Sequence, residues 1–282
     1  MLTKAFLEIT NVCNLSCTFC HKTVREKRFM TDAEFDSLTD RLRGRVRYLY
    51  FHLMGEPTLH PSLNDFIKSA KSKGFLPIIT TNGSRLATVG DSLIDALPYK
   101  ISISLHDKAA NPAFADSSYL ESCADFARRA ANAGCITVLR LWNLGGDGES
   151  ENEACLSYLR SVFTDEWTTV RGGNGMRIAD RLFLEWGEHF DWPDEDAESI
   201  GEDDELFCYG LRDQVGILVD GTVVPCCLDA DGALSLGNLF ESELDTILNG
   251  ERARAIYEGF SRRRGVESLC RKCGYARRFT KK

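Results

Sequence analysis

Cys13, Cys17 and Cys20 form the run Cys-Asn-Leu-Ser-Cys-Thr-Phe-Cys, a C-x3-C-x2-C spacing. Close spacing lets one loop turn three thiolates toward a common centre. Zinc would want a fourth ligand at similar range; His21 follows directly, but a residue next to a ligand points away as often as inward. A ferredoxin run would be C-x2-C-x2-C-x3-C with Pro after it, a different order with a fourth cysteine. Three thiolates on a four-iron cluster leave one iron open, and a small molecule can coordinate it.

A second set, Cys208, Cys226, Cys227, Cys270 and Cys273, lies in the last third and ends in a C-x2-C pair. Cys123 and Cys155 fall in helical patterns and Cys135 opens a strand pattern, so these three are expected to be packing residues. No apolar run reaches the ~20 residues of a bilayer span, and the first residues lack the order of a signal peptide. The chain therefore reads as cytoplasmic, where eleven cysteines point to metal rather than disulfides. Of 282 residues, 43% are hydrophobic and 27% charged, which suits a globular chain with a full core. A net charge of -8 argues against a broad nucleic-acid footprint. The basic C-terminal residues, including Arg271, Lys272, Arg277 and Arg278, read as a solvated tail.

These thiols must be positioned by an alternation of strand and helix. Strand patterns cover residues 5–9, 46–53, 75–81, 100–105, 136–142 and 181–186. Helical patterns cover 31–43, opened by the capping box Thr31-Asp-Ala-Glu34, and 61–73, 91–97, 118–133 and 151–163. Strands separated by helices imply parallel pairing with right-handed crossovers. Residues 191–205 are acidic and read as a linker or insertion. Asp220-Gly221 between two apolar runs predicts a hairpin, and residues 241–260 predict an amphipathic helix.

C-x3-C-x2-C after a first strand, with the aromatic Phe19 just before the last cysteine, resembles the signature of the radical S-adenosylmethionine (SAM) superfamily. The resemblance implies a 4Fe–4S cluster on Cys13, Cys17 and Cys20, whose open iron chelates the amino and carboxylate groups of SAM. It implies reductive cleavage of SAM to a 5′-deoxyadenosyl radical, with an electron donor such as a flavodoxin or ferredoxin. The implied fold is α/β, a partial (β/α)6 barrel of TIM type over residues 1–187, with chemistry at the C-terminal ends of the strands.

Leu53-Met-Gly-Glu-Pro57 looks like the family's Gly-Gly-Glu-Pro motif, with Met54 in place of the first glycine. Glu56 and the backbone near Gly55 would then contact the amino group of SAM; a strand-stopping turn is the other reading. Thr-Asn82-Gly resembles the family's Thr-Asn-Gly at the end of the third strand. Ser102, Ser104 and His106 share one face of the fourth strand by period two. Hydroxyls there suit ribose or carboxylate, as a family serine does, or simply fill the barrel. Arg140 in the apolar fifth strand needs an anionic partner: the SAM carboxylate, the substrate, or a structural acid. Glu185 and His106 are acid/base candidates by strand-end position.

The order Cys208, Gly221-x4-Cys226, Cys270-x2-Cys273 resembles the twitch or SPASM-type extension of these enzymes, here residues 206–282 after the acidic linker 188–205. It implies an auxiliary 4Fe–4S cluster on Cys208, Cys226, Cys270 and Cys273, with Cys227 as the spare. The chain ends soon after Cys273, so one auxiliary cluster, the shorter twitch form, is expected. Four thiolates also suit zinc. With no iron left open there, the auxiliary cluster would accept an electron, which favours dehydrogenation or cross-linking. With few residues before Cys13, the expected substrate is a small molecule or a peptide delivered by a partner. The alternative is an iron–sulfur or zinc protein that binds or relays electrons without radical chemistry.

Overall fold

The computed structural model describes residues 2–105, 118–146, 149–199 and 205–279. The barrel half runs β1 (Lys4–Leu7), α1 (Asp32–Leu42), β2 (Tyr48–Tyr50), α2 (Leu63–Ser72), β3 (Leu76–Thr81), α3 (Leu86–Ala96), β4 (Lys100–Ser104), α4 (Ser118–Asn132), β5 (Ile136–Leu144) and α5 (Asn152–Val162). Then come β6 (Thr168–Thr169), β7 (Gly175–Ala179) and β8 (Leu182–Glu188). The last third holds β9 (Gln214–Ile217), β10 (Thr222–Val224), β11 (Gly237–Asn238), α6 (Leu244–Leu248), α7 (Glu251–Ser261), α8 (Ser268–Arg271) and α9 (Gly274–Arg277).

The six expected strands are β1 to β5 and β8, all parallel to their neighbours in the order β1-β2-β3-β4-β5-β8. Their alternation is the cause of the layering. Ala5, Leu7, Leu49, Phe51, Ile79, Ile101, Ile103, Leu139 and Leu141 are buried beneath the helices. The intervening residues Phe6, Tyr50, His52, Thr80, Ser102 and Arg140 line a single cavity together with Glu185 of β8 and Gln214 of β9. A flat sheet cannot surround one cavity with residues from so many strands, so the sheet curves into an open barrel. The capping box forms as expected: Glu34 N–H donates to Thr31 Oγ1 (3.2 Å) and Thr31 N–H to Glu34 Oε2 (2.8 Å).

Three features depart from the sequence expectations. β6 and β7 add an antiparallel edge beyond β8. β9 pairs in parallel with β1, so the predicted hairpin extends the barrel sheet itself, to eleven strands among the described residues. The single helix expected over 241–260 is two, α6 and α7, interrupted at Asn249-Gly250, where the Gly250 N–H closes a turn on the Ile247 carbonyl (3.1 Å). The hairpin turn has Gly221 at φ +84°, against Asn238 and Phe240, where a Cβ would clash. No helix among the described residues is long and apolar enough to cross a membrane.

Candidate active site and auxiliary metal centre

Cys13, Cys17 and Cys20 lie on the loop between β1 and α1, at the C-terminal end of β1. Two other strand-end loops brace it. Gly55, at φ +77°, meets the chain just before Cys13: an added Cβ would sit 2.4 Å from the Thr10 carbonyl and 2.9 Å from that of Val12. Only glycine allows this approach, and the Glu56 N–H donates to the Val12 carbonyl at 2.8 Å. From the end of β3, Asn82 donates to Asn14 Oδ1 (3.1 Å) and to Cys13 Sγ (3.9 Å).

Glu56 is held in place by donors from its own loop and from the end of β3. Its Oε1 accepts from the Thr58 N–H (3.0 Å), the Thr58 hydroxyl (2.7 Å) and the Thr81 hydroxyl (2.7 Å), and its Oε2 from the Asn82 N–H (2.7 Å). Three of these donors fall on Oε1 and one on Oε2, so the carboxylate is anchored while Oε2 keeps a lone pair. Glu56 therefore ties the loop after β2 to the end of β3.

Glu8 directly follows β1 in an otherwise apolar stretch, Ala5 to Ile9, and a carboxylate there needs a cationic or hydrogen-bonding partner just as Arg140 needs an anionic one. Glu8 is fully buried and accepts from both terminal nitrogens of Arg25 (2.8 and 2.7 Å), from Met54 N–H (3.1 Å) and from Val219 N–H (3.0 Å). One side chain thus ties the segment after Cys20, the Met-Gly-Glu-Pro loop and the last-third hairpin. Met54, where the family motif has glycine, packs in a small apolar cluster with Leu53, Leu218, Val224 and Ala230, against which Cys20, Trp192 and Cys227 also rest.

The inner cavity is about 440 Å³. Phe19, Ser102, Ser104, Arg140 and Glu185 line it, and so do all five thiols of the second set: Cys208, Cys226, Cys227, Cys270 and Cys273. The Arg140 guanidinium lies 3.4 Å over the Trp142 ring. Glu185 lies 3.5 Å from Lys100 Nζ. His106 falls outside the described residues. His52, which no motif marks, is held neutral: burial first, then the Arg140 charge, bring its pKa down to about 3. Its Nδ1 is buried with no hydrogen-bond partner among the described residues. A wider mouth of about 1070 Å³ opens over Thr18 to His21 and is walled by His189 to Glu195 and Leu228 to Asp231.

The five thiols of the second set come from three separate stretches of the last third: Cys208, Cys226-Cys227 and Cys270-x2-Cys273. Burial pushes each of them up, and they push one another: Cys226 well above the usual range through Cys227, Cys208 and Cys270, and Cys227 to about 12. Cys208, Cys270 and Cys273 move in the same direction, again first by burial. Such a pocket suits deprotonated thiols only with cations among them. Among the described residues no three His, Cys, Asp or Glu side chains converge on a single-ion position. The thiols interact electrostatically across the cavity, and four thiolates suit zinc as well as an iron–sulfur cluster. Cys123 and Cys135 are buried in the core and Cys155 packs against it, as expected of packing residues.

The acidic segment and the basic tail are not solvated bystanders. Residues 189–195 and Ala197 wall the mouth of the cavity. Lys272, Arg277 and Arg278 donate to the carbonyls of Glu195, Glu198 and Glu188. Opposite charges in two segments close in space were the signal available for this pairing.

A family model for the radical SAM superfamily matches residues 7–159, more than half of the chain. A second, SPASM, an iron–sulfur cluster-binding domain, matches residues 208–274. Among curated proteins, a tungsten-containing aldehyde ferredoxin oxidoreductase cofactor-modifying protein of Pyrococcus furiosus is 36% identical over 86 residues, 29% of this chain and 24% of that protein. The GTP 3',8-cyclase of Chlorobaculum tepidum is 35% identical over 95 residues, 32% of this chain and 28% of that protein. The chain thus matches about a quarter of the length of these relatives. Among solved structures, BtrN in complex with AdoMet and 2-DOIA superposes with a TM-score of 0.60 at 17% identity, covering 97% of this chain and 93% of that one. anSMEcpe with AdoMet and Cp18Cys peptide gives 0.62 at 14% identity, covering 98% and 87%. Streptococcus suis SuiB bound to precursor peptide SuiA gives 0.52 at 15% identity, covering 97% and 70%. These likenesses carry the fold, a partial barrel extended by a C-terminal module.

Proposed function

Because the chain belongs to the radical SAM superfamily and carries a C-terminal SPASM module, we propose that it is an oxidative radical enzyme acting on a small molecule or a peptide, by dehydrogenation or cross-linking. The observation that carries this reading is the shared cavity: the strand-end residues Ser102, Ser104 and Arg140 and the five auxiliary thiols line one space. When bound, the SAM-ligating 4Fe–4S cluster supplies one-electron cleavage of SAM to a 5′-deoxyadenosyl radical, and the auxiliary cluster supplies a one-electron acceptor.

Cys13, Cys17 and Cys20 would hold the first cluster, on a loop that Gly55 and Asn82 keep in place. The backbone near Gly55 offers carbonyl acceptors to an ammonium. Ser102 and Ser104 offer hydroxyls to ribose or carboxylate, and Arg140 takes an anionic group. Phe19 and Trp142 wall the site with apolar surface and keep water from it. Cys208, Cys226, Cys270 and Cys273 would hold one auxiliary cluster, leaving Cys227 as a neutral thiol facing the cavity. A small ferredoxin- or flavodoxin-type protein would supply the reducing electron.

The test is anaerobic reconstitution to full iron and sulfide content, then dithionite and SAM. 5′-Deoxyadenosine is the expected product. None from a fully loaded sample sinks the reading and leaves an electron-relay protein.

A further inference from the structure

Residues 188–198 form an acidic strap beside the cavity. Phe190, Trp192 and Pro193 face both the inner cavity and its wider mouth. On one side the strap is gripped from the Cys270-x2-Cys273 segment. Lys272, inside that pair, donates to the Glu195 carbonyl and lies 3.6 Å from its carboxylate. Arg277 donates to the Glu198 carbonyl, and Arg278 to that of Glu188 while lying 5.3 Å over the Phe190 ring. Gly274 sits so close to Asp191 that an added Cβ would come 2.6 Å from the Asp191 carbonyl oxygen.

On its other side the strap meets the radical-cluster loop. Trp192 lies 5.8 Å, ring to ring, from His21, the residue after Cys20, and packs on the apolar cluster that Cys20 and Cys227 also touch. Ring contacts run without a gap from Tyr275 to Phe190 (5.2 Å), Phe190 to Trp192 (6.2 Å) and Trp192 to His21. The strap therefore touches a residue beside a thiol of each set.

We propose that the strap is a positioning element through which the auxiliary site shapes the active cavity. A C-x2-C loop pinned at both thiols has few backbone conformations left. Pinning it fixes Lys272, and with it Arg277 and Arg278 on the following turn, where they meet the strap carbonyls. The strap then holds Trp192 against the radical-cluster loop and keeps water out of the space between the two sites. Loading of the auxiliary site is in this way read at the wall of the active site.

The proposal rests on Cys270 and Cys273 being auxiliary ligands, and iron counting tests that separately. The readout for the strap is amide hydrogen exchange on the full chain, anaerobically reconstituted and supplied with SAM, over peptides from residues 188–198, with α4 as internal reference. In Cys270→Ser/Cys273→Ser, loss of auxiliary iron should come with strap exchange faster by about tenfold or more and α4 unchanged. Iron loss with wild-type strap exchange overturns the proposal, and full iron retention overturns the ligand assignment beneath it. If that variant does not fold, Lys272→Ala decides: strap exchange should rise by roughly three- to tenfold at unchanged iron content, and Lys272→Arg should restore it. Wild-type exchange in Lys272→Ala overturns the proposal.

Discussion

The two thiol sets are built in opposite ways. Cys13, Cys17 and Cys20 sit on one loop, residues 13–20, so their convergence is a local property of the chain. Cys208, Cys226, Cys270 and Cys273 arrive from the approach to β9, the end of β10, and α8 with the residue before α9. They meet only once the β9–β10 hairpin has formed and the helices after it have packed back on it. The first set can form before the fold is complete, while the second presupposes it. A ligand that presupposes the fold stabilises it, because binding free energy at such a site is folding free energy.

That contrast predicts opposite profiles for the two sets. Cys13→Ala should abolish 5′-deoxyadenosine formation, by at least ~10³-fold as expected when one member of a unit is removed. It should keep auxiliary iron and lower Tm little. Chromatographic product assay, iron count and calorimetry on one preparation check all three. A large Tm loss in this variant would break the contrast. Cys226→Ala should do the reverse: auxiliary iron falls, Tm drops by at least ~5 °C at about 2–4 °C per kcal/mol for a chain of this size, and SAM cleavage survives within roughly tenfold.

The same contrast explains what could be read from residues alone. The loop thiols, Phe19 and the Gly-Glu-Pro turn lie close in sequence, so spacing carried them. The six barrel strands were legible because alternating burial leaves a period-two pattern. β6 and β7 were not, being a short edge with exposed residues at β6. The seat of β9 beside β1 was hidden because partner choice is not encoded in a strand's own pattern. The motif marks Glu56 as a ligand candidate, while only the positions of Thr58, Thr81 and Asn82 show that the same carboxylate also braces two strand ends. The acidic strap looked like a linker because its partners, Lys272 and Arg278, lie far along the chain.

Glu8 is where the two regions are joined, and it sharpens the comparison. Removing it strands the Arg25 charge, whose side chain is 14% exposed, and leaves Met54 N–H and Val219 N–H without their acceptor. Breaking a buried pair in this way costs about 3–5 kcal/mol. Glu8→Ala should therefore lower Tm strongly and reduce iron at both sites together, whereas the cysteine variants lose iron at one. Iron lost from one site only would show that the two regions are not coupled through Glu8.

The smallest expected effect concerns His52, on the strand end between the regions. Its folded pKa, about 3, lies below the ordinary value of 6.5 because burial and Arg140 disfavour the imidazolium. Phe6 and Tyr50 also pack on the ring, at 5.6 and 5.8 Å. Below pH 6.5 the unfolded chain binds a proton that the folded chain refuses, so stability falls as pH drops from about 6.5 toward 3 and is unaffected by this group above that window. The slope is at most about 1.4 kcal/mol per pH unit. His52→Gln should flatten the decline of Tm between pH 6.5 and 5 while leaving Tm differences among the cysteine variants unchanged at pH 8. An unchanged slope in His52→Gln would mean that the imidazole reaches water or a partner on protonation, and that the space between the two thiol sets is wetter than its apolar walls imply.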